Sequence, residues 1–102
     1  MHGQAYTSGD WMVTSGKEDE FIAAWTAFAR WANENAAGTI SMRLIRDSSN
    51  PGHFVSYGEW ESEQAVKEWR NTPAFAEEIA KVRAHCDNFQ PSDYTLAATP
   101  DH

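Results

Sequence analysis

The sequence predicts an α+β sandwich, in which one four-stranded antiparallel sheet carries helices on a single face. Apolar residues recur at helical spacing through residues 18–35 and again, more weakly, through 63–85, whereas the flanking segments are alternating or rich in β-branched and aromatic residues. The stretch Gly52 to Phe75, GHFVSYGEWESEQAVKEWRNTPAF, switches from strand to helix chemistry at Glu61-Ser62 and breaks at Asn71-Thr72-Pro73. A chain of 102 residues that is 41% hydrophobic supports one core and not two, so all these elements share it.

Taken in order, residues 1–4 are expected to fray, and Ala5 to Val13 form a first strand with Ala5, Thr7, Gly9, Trp11 and Val13 on one face. Ser15-Gly16-Lys17-Glu18 reads as a capping box, and Glu18-Asp19-Glu20 place negative charge at the positive end of a helix dipole. That helix runs to about Asn35 behind the stripe Phe21, Trp25, Phe28 and Ala32, with Gly38 as a left-handed stop. Thr39 to Asp47 form a second strand. Ser48-Ser49-Asn50-Pro51-Gly52 form a turn in which Pro51 fixes φ and Gly52 supplies a positive φ. The third strand, His53 to Trp60, therefore pairs antiparallel with the second. Two registers remain open: Ser56, Gly58 and Trp60 share a face with either Arg43, Ile45 and Asp47 or Met42, Leu44 and Arg46.

Ser62 is the N-cap of a helix over Glu63 to Arg70, and Thr72-Pro73 open another that reaches about His85 with Phe75, Ile79 and Val82 as its stripe. Cys86 to Pro91 read as a connector, Ser92 to Ala98 as a fourth strand, and Ala98 to His102 as a disordered tail. No internal repeats are expected. The order β-α-β-β-α-β gives a ferredoxin-like sandwich whose second sheet face keeps apolar residues such as Val55 and Tyr57 in either register, so a homodimer with opposed sheets is expected.

Composition narrows the partners. A net charge of −7 with eight scattered basic residues disfavours nucleic acid and anionic membranes. A single cysteine forms no internal disulfide, and no run of apolar residues reaches membrane-spanning length, so a cytoplasmic location without membrane partners is expected. Four histidines without paired ligand spacing predict no metal site, and no glycine-rich phosphate loop predicts a nucleotide cofactor.

The segments Ser15 to Phe21, Phe54 to Trp60, Glu61-Ser62-Glu63-Gln64-Ala65 and Trp69 resemble the antibiotic biosynthesis monooxygenase family of dimeric α/β barrels, over roughly Ala5 to Ala98 of one domain. The resemblance implies a cavity between sheet and helices. It implies oxygenation of a small aromatic or quinone-type molecule without metal, flavin or haem, or alternatively a non-catalytic or stress-response binding protein on the same dimer. At the positions where cofactor-free members carry Asn, Trp and Tyr, this chain has Ser56, Trp60 and Val66. Where haem-degrading members carry Asn, Trp and His, it has Gly9, Trp69 and Ile79, which leaves the iron without that axial ligand.

Trp25, Phe28, Trp60, Trp69 and Phe75 are the candidate walls for a planar ligand, with Trp60 and Trp69 bracketing its ring; core filling is the alternative role for the same residues. Oxygenation of this kind needs a donor for the substrate anion and a base. Ser56, Tyr57 and Arg43 are the candidate donors, and His53, His85 and Asp47 the candidate bases. His53 also fits a solvated turn and His85 a favourable charge at a helix C-terminus. Cys86, beside His85 and Asp87, lacks the surroundings of a nucleophile.

Overall fold

A computed structural model describes residues 4–100; Met1 to Gly3 of the expected frayed end and Asp101-His102 of the expected tail lie outside the described residues. The elements follow the order β1 (Ala5–Val13), α1 (Glu18–Asn35), β2 (Thr39–Arg46), β3 (His53–Trp60), α2 (Glu63–Arg70), α3 (Pro73–Arg83) and β4 (Cys86–Thr95). The four strands form one sheet in the order β2-β3-β1-β4, and every neighbouring pair is antiparallel. This is the ferredoxin-like arrangement, with β1 and β3 at the centre.

The helix starts separate two kinds of end. Ser62 Oγ accepts from Ala65 N at 3.1 Å and Thr72 Oγ1 from Phe75 N at 3.3 Å, so α2 and α3 begin on side-chain caps, with Pro73 in the first turn of α3. The expected capping box at Ser15 does not form. The N-cap of α1 is Lys17, which makes no side-chain cap bond, because Gly16 turns the chain at φ +88° and places Ser15 before the helix. The acidic first turn, Glu18-Asp19-Glu20, then faces the exposed N–H groups. Gly38 does adopt a positive φ, and a Cβ there would lie 2.6 Å from Ala65 Cβ. Gly52 does not; its turn is tied instead by Asp47 Oδ1 accepting from Ser49 N at 2.8 Å and Asn50 Oδ1 from Gly52 N at 3.1 Å.

The β2–β3 register is settled by Leu44 opposite Ser56 and Arg43 opposite Tyr57. Met42, Leu44 and Arg46 therefore share the helix-covered face with Ser56 and Gly58, and Arg43 stands on the other face. The expected connector Cys86 to Pro91 is instead the first half of β4, which stops at Thr95 and not at Ala98. Asn, Gln and Pro in that segment imitate turn chemistry, but β4 pairs only with β1, and an edge strand tolerates Pro91 opposite Gly9. Gln4 is also held, donating to Trp60 O at 3.0 Å and accepting from Leu96 N at 3.1 Å.

Odd positions of β1 and even positions of β3 point at the helices and are buried. They meet Phe21, Trp25, Phe28, Ala29 and Ala32 of α1, Val66 and Trp69 of α2, and Val82 of α3. Phe75 and Ile79 are only partly buried, which leaves α3 with one wholly covered anchor, Val82.

Candidate functional site

The aromatic side chains under the helices form two groups. Trp11 stacks on Phe89 with ring centroids 4.0 Å apart and leans on Phe21, which in turn meets Phe54. Trp69 lies at the centre of the other group, 4.6 Å from Trp60, 4.6 Å from Phe75 and 5.7 Å from Phe28. A partly open cavity of about 290 Å³ has walls from both groups, including Trp11 and Phe89 from the first and Phe28, Trp69 and Phe75 from the second, with Trp25 between sheet and helix.

Of the five aromatic residues expected to wall a cavity, Trp25, Phe28, Trp69 and Phe75 line this one. Trp60 does not. It is fully buried, and its ring is already in contact with Trp69, so no ligand ring is bracketed between the two indoles. Ser56 lines the cavity, whereas Tyr57 and Arg43 are on the opposite sheet face, Arg43 beside a separate groove along β2. The expected bases are elsewhere. His85 follows the end of α3, where its carbonyl accepts from Thr14 N at 2.9 Å. His53 and Asp47 are joined on the far face of the sheet: His53 Nδ1 lies 2.9 Å from Asp47 Oδ2, and Nε2 lies 2.9 Å from Asp10 Oδ1. Hydrogen bonding to Asp47, then to Asp10, raises the pKa of His53, and the same bond lowers that of Asp47. This imidazole is a clasp across three segments, with both nitrogens engaged.

The polar lining of the cavity is made of other groups. Thr7 and Ser56 are the two buried polar residues among the described ones, and both line it. Each hydroxyl accepts from a buried indole on the neighbouring strand: Trp11 Nε1 donates to Ser56 Oγ at 2.9 Å, and Trp60 Nε1 donates to Thr7 Oγ1 at 3.1 Å. The two bonds are related by a local two-fold, because β1 reads Thr7-Ser8-Gly9-Asp10-Trp11 and β3 reads Ser56-Tyr57-Gly58-Glu59-Trp60. Thr7 pairs with Gly58 and Gly9 with Ser56. A Cβ at Gly9 would fall 2.7 Å from Trp11 Nε1 and 2.9 Å from Ser56 Oγ; at Gly58 it would fall 3.0 Å from Thr7 Oγ1 and 3.1 Å from Trp60 Nε1. Each glycine thus clears the space for one indole–hydroxyl bond.

Two guanidinium groups complete the lining. Arg70 is committed to Asp93 at 2.6 Å. Arg83 lies 5.6 Å from the centre of the Phe89 ring and pairs with no carboxylate among the described residues. Trp69 Nε1 is buried without a hydrogen-bond partner there. Among the described residues, no carboxylate and no imidazole lines the cavity. Cys86 is outside it too, and burial, with Asp87 adding to it, pushes its thiol up to about 11, far from the thiolate a nucleophile needs. Sequence reasoning missed Thr7, Gly9, Phe89 and Arg83; the repeated pattern of hydroxyl, glycine, acid and tryptophan was the available signal for the first two.

Residues 8–81 match the family model described as antibiotic biosynthesis monooxygenase. The chain belongs to the antibiotic biosynthesis monooxygenase family. Solved structures share the fold of this family member at low identity. SnoaB, a cofactor-independent oxygenase from Streptomyces nogalater, superposes with a TM-score of 0.86 at 17% identity, covering 98% of this chain and 99% of that one. A conserved protein from Methanosarcina mazei Go1 gives 0.80 at 15% identity, covering 94% and 95%. A further antibiotic biosynthesis monooxygenase gives 0.72 at 18% identity, covering 94% and 99%. No curated protein sequence matches the chain.

Proposed function

We propose that this family member is a cofactor-independent oxygenase that holds a flat, oxygen-bearing aromatic molecule in the cavity between sheet and helices. The observation that carries the reading is the character of the lining: aromatic walls, hydroxyl and guanidinium donors, and, among the described residues, no anionic side chain. Such a surface favours a ligand that is planar, apolar over its faces and negatively charged or carbonyl-bearing at its edge. Family membership and the likeness to SnoaB support the same chemistry.

The absence of a base in the lining shapes the mechanism. The substrate must ionise by its own acidity, and the Arg83 guanidinium, exposed at the open side of the cavity, favours that step by stabilising the phenolate or enolate. The proton leaves to water at the open side. The anion then passes one electron to dioxygen, superoxide and the carbon radical combine to a peroxide anion, water returns a proton to give the hydroperoxide, and loss of water leaves a carbonyl. One CH2 and one dioxygen become one C=O and one water. Oxygen uptake with anthrones, hydroquinones and naphthols should be saturable and faster than without protein; a rate equal to the protein-free control overturns the oxygenase reading.

The same missing base favours a second reading, a non-catalytic binding module, which predicts ligand binding without product. In both readings the protein acts as a homodimer with opposed sheets. Support comes from the exposed apolar groups on the uncovered sheet face, among them Ile45, Tyr57 and Tyr94.

A further inference from the structure

We infer that the Asp10–His53–Asp47 cluster is a proton-operated control of self-association: the uncovered sheet face holds a second copy of this chain while His53 is an imidazolium, and loosens when that proton is lost. The inference rests on the homodimer with opposed sheets proposed above, and adds a regulation that neither the family model nor the structural likenesses assign.

The geometry requires the charged ring. His53 Nδ1 lies 2.9 Å from Asp47 Oδ2, and Nε2 lies 2.9 Å from Asp10 Oδ1. An ionised carboxylate only accepts, so each nitrogen must carry a proton, and only an imidazolium has two. In a neutral ring one nitrogen turns its lone pair toward a carboxylate, and that bond is lost. Asp10 is the more exposed partner, its side chain 54% accessible against 35% for Asp47, and Asp47 also accepts from Ser49 N at 2.8 Å. The bond to Asp10 is therefore the one that yields, which leaves a carboxylate uncompensated on the central strand β1. Hydrogen bonding to Asp47, then to Asp10, raises the pKa of His53, so the imidazolium persists above the ordinary value of 6.5 and is lost as pH rises further.

The surroundings of Asp10 make its charge matter to a partner. It is paired with Val55 of β3 and Gln90 of β4, neither of which brings a cation. Farther along the same face β2 supplies Arg43, which is exposed and makes no ion pair among the described residues, and β3 supplies a further acid, Glu59. With His53 charged, two cations therefore stand against three acids; with His53 neutral, one stands against three. A two-fold contact sets this face against its own copy, so each protomer's excess of negative charge doubles at the moment Asp10 is released. Arg43 gives the face its complementarity to a second copy, because the acids it lacks within its own chain are offered by the partner, and exposed Ile45, Tyr57 and Tyr94 supply apolar contact. The phenols Tyr6, Tyr57 and Tyr94 are the remaining titratable groups of the face, and hydrogen bonds with Ser8 and Ser92 lower the pKa of Tyr94.

The test is sedimentation equilibrium of the wild-type chain, His53→Gln and Asp10→Asn at about pH 6 and about pH 9, with circular dichroism checking the fold at each pH. The wild-type dimer dissociation constant should rise roughly tenfold from the lower pH to the higher, the factor that one unit of pKa displacement represents. His53→Gln should dimerise equally at both, and Asp10→Asn should dimerise more tightly than wild type at the higher pH. An unchanged wild-type constant overturns the inference and leaves the dimer standing. So does an undiminished pH dependence in His53→Gln, which would assign the effect to Tyr94. If His53→Gln does not fold, Asp10→Asn decides, and a constant no tighter than wild type at the higher pH overturns the inference. A wild-type monomer at both pH values overturns the dimer reading and the inference with it.

Discussion

The two faces of the sheet are built from alternate residues of the same strands, yet they have opposite chemistry. The face under the helices carries Thr7, Gly9, Trp11, Ser56, Gly58 and Trp60 and is uncharged near its centre. The other face carries Asp10, Asp47 and His53 in an ionic clasp beside exposed Ile45 and Tyr57. Among the described residues, no carboxylate or imidazole lines the cavity, and its polar side chains are hydroxyls and guanidinium groups. In the function proposed above, one face receives an oxygen-bearing ligand and the other meets a second protomer.

The largest effect expected from breaking this division is on the covered face. Trp60→Ala removes a fully buried indole from contact with Trp69 and from its bond to Thr7, and should destabilise the fold by about 3–5 kcal/mol in urea or guanidinium denaturation. Gly9→Ala comes next. Its methyl group presses on Trp11 Nε1, Ser56 Oγ and Phe89, so stability should fall by about 1–3 kcal/mol while quinone affinity drops.

Changes on the uncovered face should spare the cavity. Ile45→Glu places charge where the apolar surface is exposed and should shift sedimentation toward the monomer with folding intact. The smallest effect is the pH dependence of the clasp. The raised pKa of His53 means that its contribution is fully present below the ordinary imidazole value, about 6.5, and is lost as pH rises through the folded value. The lowered pKa of Asp47 works in the other direction: its contribution is present above the ordinary carboxylate range and is lost as pH falls through the folded value. Thermal unfolding should show highest clasp stability between those limits, and His53→Gln should flatten the decline on the alkaline side.

The two faces also differ in how far they could be anticipated from the chain. Helix stripes, the caps at Ser62 and Thr72 and the β2–β3 hairpin were legible because each depends on nearby residues. Register was not, because β2 offers apolar residues on both faces, and only pairing decides that Leu44 and not Arg43 joins Ser56. The first half of β4 was hidden by Asn88, Gln90 and Pro91, which are acceptable at an edge but look like a turn. In the cavity, aromatic residue type was informative and position was not. Trp60 and Trp69 look alike in sequence, but one is locked to Thr7 away from the cavity and the other forms its wall. Arg83 was concealed by its place in the last turn of α3, where a basic residue suits the helix dipole anyway.

Oxygen consumption with an anthrone tests the central claim most directly when wild type is compared with Ile79→Trp, a substitution that fills the cavity from α3 without touching either sheet hydroxyl. The account predicts saturable uptake in wild type and a return to the protein-free rate in the filled variant. Equal uptake by the two proteins would contradict it, because the chemistry would then be taking place outside the cavity.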